Sequence, residues 1–184
     1  FKERKISTAG CKATDIEEMA FDVLADLSFA KLDQRKGAGQ LFKTTLEKAL
    51  FSSPAACLKT IKNRVNRLQK DNDPSYEKDI ASLKELAEKT EQITSEKFSK
   101  YQKLLSIIGD KKNGYGWDGK DTKDRLVIFT ERIETLKFLS ECLPKDLNLK
   151  DKQVKILHGS MPDVDQQKIV EDFGKEESPI RLLI

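Results

Sequence analysis

Three short apolar runs, evenly spaced through the last third of the chain, constrain its fold more than any other feature. They are 126–129 (LVIF), 154–157 (VKIL) and 180–184 (IRLLI), with starts 28 and 26 residues apart. Between the first two, Ile133, Leu136, Leu139, Cys142 and Leu143 recur at helical spacing until Pro144. Between the second two, Ile169, Val170 and Phe173 do the same. Strand, helix, strand, helix, strand at this period predicts parallel strands with crossover helices, the strands being buried on both faces. The expected class over 125–184 is therefore α/β, with a partial, three-stranded parallel sheet.

The earlier part of the chain reads differently. Residues 1–14 have no period and are expected to form a tail, and residues 15–108 a helical region. Asp15 with Glu18 has the form of a capping box, which places the first helix start there. The glycines of Lys36-Gly37-Ala38-Gly39 read as a helix stop. Ser53-Pro54 reads as an N-cap followed by proline at the first helical position. From Tyr76 to Ile108 the apolar residues recur mostly three or four apart, which predicts one long helix over 75–108, about 50 Å at 1.5 Å per residue. Residues 109–124 hold Gly109, Gly114, Gly116 and Gly119 among lysines and aspartates and predict a flexible linker.

Charged residues make up 35% of the chain, against about 25% in an average domain, yet the net charge is only +3. Any nucleic-acid surface must then come from a local cluster rather than a global field. Cys11, Cys57 and Cys142 are far apart and odd in number, which speaks against a disulfide framework or a paired-cysteine metal site. With a single histidine, a zinc site lacks partners. No apolar run reaches the length of a membrane span, and no secretory leader is visible. The expected setting is cytoplasmic. Phe1 at the start and an apolar run at the end suggest a piece of a longer protein.

Two loops follow apolar runs and precede helices. Thr130-Glu131-Arg132 follows the first, and His158-Gly159-Ser160-Met161-Pro162 follows the second. Ligands of open parallel sheets gather at strand carboxyl ends, where helix N-termini present free amides. Residues 125–184, with LVIFTERIETLKFL and the following HGSM segment, resemble the first half of the C-terminal RecA-like domain of superfamily-two helicases. ALFSSPAACLKTIKNRV over 49–65 resembles the helical stretch that precedes this domain in bacterial Swi/Snf-like helicases. Gln166 stands where the family often has an arginine. The resemblance implies a parent ATP-dependent helicase or translocase, with ATP and Mg²⁺ bound between this lobe and an N-terminal RecA-like lobe. No phosphate-binding loop of the G-x-x-x-x-G-K-[ST] form occurs in this chain, so the piece alone is expected to be non-catalytic.

The resemblance implies nucleic-acid backbone contacts, to DNA more than to RNA, along Thr130, His158, Gly159 and Ser160. Gly159 allows close backbone approach. A second candidate surface is the helix opened by Pro54. The segment from Lys48 to Lys70, both included, holds six basic residues and no acidic one, and Arg64 and Arg67 lead its contact candidates. A solvated charged face is the ordinary reading of such a run. Tyr115 and Trp117 in the glycine-rich stretch are packing residues first and stacking candidates second. Self-pairing through an open sheet edge or the long helices is expected. The other reading is a non-catalytic helical protein-interaction scaffold with a degenerate helicase-like unit.

Overall fold

The computed structural model describes residues 5–31 and 37–184. Residues 1–4 of the expected tail and Lys36 of the expected helix stop lie outside the described residues. Five helices come first: α1 (Asp15–Asp26), α2 (Ala38–Ser52), α3 (Pro54–Asp71), α4 (Glu77–Glu91) and α5 (Ser99–Gly109). Then β1 (Leu126–Val127), α6 (Ile133–Asp146), β2 (Val154–Lys155), α7 (Asp163–Gly174) and β3 (Leu182–Leu183) alternate.

The start of α1 lies one residue before the expected position. Thr14 is the N-cap, and its partner in the capping box is Glu17, not Glu18. The cause is a long-range bond. Glu17 is buried, and its carboxylate accepts hydrogen bonds from Thr14 N at 2.7 Å, Ser99 N at 3.2 Å and Ser99 Oγ at 3.0 Å. A buried carboxylate needs such donors, and here they tie the start of α1 to the start of α5. α3 opens as its residues dictate: Ser53 Oγ accepts from Ala56 N at 3.1 Å, and Pro54 occupies the first turn.

The long helix expected over 75–108 is two helices. α4 ends at Glu91, and a non-helical turn over 92–98, held by bonds such as Phe98 N to Thr94 O at 2.9 Å, separates it from α5. Ile93 and Phe98 of this turn are buried, so the apolar period continues through a segment that is not helical. A second buried carboxylate, Asp79 on α4, accepts from Ala30 N and Lys31 N and holds the chain after α1 against it. α4 thereby packs on both α1 and α3, and α3 also packs on α6.

Residues 109–124, expected as a flexible linker, form a fastened loop. Tyr115 N donates to Ile107 O and Trp117 N to Ile108 O, both at 2.8 Å, and the Trp117 ring is buried. Gly114 is required here. A Cβ at that position would overlap the carbonyl oxygens of Ser106 and Ile107. Trp117 is thus a packing residue, while Tyr115 is exposed.

The three strands are parallel and ordered β1-β3-β2. Leu182 faces both Leu126 and Val154, and Leu183 faces both Val127 and Lys155. The expected α/β class, with a partial RecA-like sheet, is nevertheless corrected by the structure. Helices take 59% of the described residues and each strand pairs over two residues, so the fold is helix-rich with a small parallel edge. The physical reason is that only β3 is buried on both sides. Val127 and Lys155 are exposed, and α7 buries none of its residues. The core is instead a continuous cluster running through α1–α6 and ending on Leu182 and Ile184. At the α5–α6 contact the Tyr101 ring meets Phe138 edge-on at 5.1 Å, and its hydroxyl donates to Asp146. Burial and that bond raise the Tyr101 pKa.

Candidate nucleic-acid interface

Parallel pairing fixes where the two loops emerge. Val127 and Lys155 both face Leu183, and Thr130 and His158 each lie three residues beyond them. With strands spaced about 4.8 Å apart, the axes of β1 and β2 run roughly 10 Å apart and both carboxyl ends open on one side. The approach to this rim is kept parallel by Ile128 N donating to Leu183 O at 2.9 Å and Leu157 N to Ile184 O at 2.8 Å.

The loop after β2 is a tight turn. Met161 N donates to His158 O at 3.1 Å, which puts Gly159 and Ser160 at the tip, both exposed. The half-buried His158 ring is held from within the turn, its Nδ1 lying 2.8 Å from Ser160 Oγ. No heavy atom lies within 4 Å of where a Gly159 Cβ would stand, and its φ is not left-handed. The residue is therefore not required for folding space, and the space on its Cβ side is open. Asp163 and Asp165 crowd the first turn of α7 with negative charge, which disfavours an anion at that helix end.

The loop after β1 borders a cleft of about 420 Å³. Phe129, Thr130 and Glu131 lie on one side, and Lys100, Lys103 and Leu104 of α5 on the other. Its base is braced by hydroxyls: Thr135 Oγ1 lies 2.7 Å from Ser53 Oγ and 2.8 Å from Ser52 Oγ, which pins the start of α6 to the start of α3. Sequence reasoning passed over Phe129, Lys100 and Lys103. The two lysines sit in an apolar-periodic stretch, and Phe129 belongs to a run whose composition signals burial.

Arg64 and Arg67 are not brought to this rim. The rim joins α3 at Ser53, and these arginines lie roughly 16 and 21 Å further along that helix. The Arg64 guanidinium stands 4.8 Å from the centre of the Phe42 ring, a cation–π contact that fastens α3 to α2. Arg67 is exposed. Among the described residues no three His, Cys, Asp or Glu side chains converge as metal ligands. No helix among them is long and apolar enough to cross a membrane. Compared with protein-family models, curated proteins and solved structures, the chain matches none.

Proposed function

We propose that this chain is part of an ATP-dependent helicase or translocase of the cytoplasm and contributes contacts to the backbone of a nucleic acid, DNA rather than RNA. In this reading ATP and Mg²⁺ bind between this part of the parent protein and an N-terminal lobe, which would supply the phosphate-binding loop. The observation that carries the reading is the shared register of the two loops. Thr130 and the Gly159-Ser160 tip leave parallel strands on one side, and no heavy atom beyond the chain neighbours comes within 4 Å of where a Gly159 Cβ would stand. Amides and hydroxyls of this kind hold phosphates without reading bases, so binding is sequence-independent, and the neighbouring cations Lys100 and Lys103 make it weaken with salt.

Fluorescence anisotropy of a labelled oligothymidylate tests the reading. Binding is expected to weaken strongly between about 50 and 200 mM salt. Gly159→Val, which adds branched bulk where the structure has room for it, weakens binding about fivefold or more, equivalent to about 1 kcal/mol. Wild-type protein that fails to bind at the lower salt overturns the reading. A loss with Arg67→Ala and none with Gly159→Val moves the strand to α3 and overturns the rim. A second reading, a non-catalytic protein-interaction scaffold, is favoured by one observation: α7 leaves Val164 and Val170 exposed beside its carboxylates.

A further inference from the structure

Phe129 is 93% exposed, more than any other large apolar side chain among the described residues. The other phenylalanines of the core find partners: Phe29 and Phe98 are buried, and Phe138 packs against Tyr101. Phe129 does not, because the β1 pairing ends at Val127 and the last bond to β3 is made by Ile128. Its ring is left beside Thr130 at the mouth of the cleft against α5.

The surroundings select the ligand. The cleft holds about 420 Å³, within the range of roughly 300–1,000 Å³ typical of small-ligand sites. Its floor includes Leu104, Ile128 and Leu139. Two cations and one carboxylate line it: Lys103 is exposed, Lys100 donates to Phe51 O at 2.7 Å, and Glu131 opposes them. An exposed ring, an apolar floor and a cationic balance together fit a ligand with planar apolar faces and negative charges. A single nucleic-acid strand has both, and its bases are free to stack, whereas those of a duplex are not.

We infer that Phe129 is a stacking platform for one base of a single strand whose backbone follows Thr130 and Lys103, and that this makes the protein prefer single strands to duplex. The inference rests on the backbone-binding reading above. Stacking on a phenyl ring tolerates every base, so it adds strand preference without sequence preference.

Anisotropy with three probes of equal length tests it: an oligothymidylate, an abasic strand and a duplex. Wild type binds the oligothymidylate more tightly than the duplex. Phe129→Ala weakens oligothymidylate binding by about 5-fold to 100-fold, the range of one base stack, and leaves the abasic strand unchanged. Phe129→Trp retains the wild-type affinity. The side chain lies outside the core, and matching thermal melts of the variants verify that the fold is intact. Equal loss on the abasic strand, or no loss on either, overturns the stack. So does unchanged binding accompanied by loss of self-association in sedimentation, which would make Phe129 a protein contact. If Gly159→Val weakens binding while Phe129→Ala does not, the backbone reading stands and this inference alone fails. If wild type binds none of the probes, both fail.

Discussion

Cys57 lies fully buried on α3, in hydrogen-bond contact with Thr90. Burial pushes its thiol up to about 11, against smaller opposing effects of the Thr90 bond and of Arg132. The unfolded thiol releases its proton near pH 8.5 and the folded one only near 11, so the folded state is the one that holds the proton between them. The contribution to stability is therefore complete below about pH 8.5 and is lost as pH rises to about 11, at no more than roughly 1.4 kcal/mol per pH unit. The half-buried Cys142 is also raised, first by burial and then by Asp146, and acts in the same direction. Urea unfolding of wild type and Cys57→Ala across this window is expected to show a shallower alkaline decline in the variant. Parallel declines would contradict the assignment. Cys57 is thus buried as a small hydrophobe, whereas Cys11 is exposed.

Local signals located the elements better than their ends. Ser53-Pro54 opens α3 because both signals act within one turn. The break between α4 and α5 was illegible for the opposite reason. The donors at Ser99 are fixed by Glu17, 82 residues away, and the buried Ile93 and Phe98 keep the apolar period intact through the turn. Phe129 misled in a similar way: a continuous apolar run reads as a buried strand, while the ladder stops two residues before it. The fastening of residues 109–124 depends on carbonyls of α5 that no pattern within the loop reveals. It makes a specific prediction. Gly114→Ala puts a methyl group into the Ser106 and Ile107 carbonyls and 2.9 Å from Asp110 O, and should cost about 1–3 kcal/mol by urea denaturation. A neutral result would mean that the loop is free of α5.

At the scale of the molecule, the helical region and the strand-bearing part share one core. Leu136, Leu139 and Leu143 of α6, with Leu182 and Ile184, join the cluster formed by α1–α5. Unfolding is expected to be a single transition, with far-UV circular dichroism and Trp117 fluorescence coincident. Two separated transitions would instead support independent units over 15–108 and 125–184. The parallel edge is small, yet it sets two loops in one register, and the account turns on what those loops touch. Hydrogen exchange with and without a saturating oligothymidylate measures this most directly. The account predicts slowed exchange confined to the segments after the strands, 128–132 and 157–162, with the α5 face of the cleft. Slowing confined to α3 around Arg64 and Arg67, or none anywhere at low salt, would contradict it.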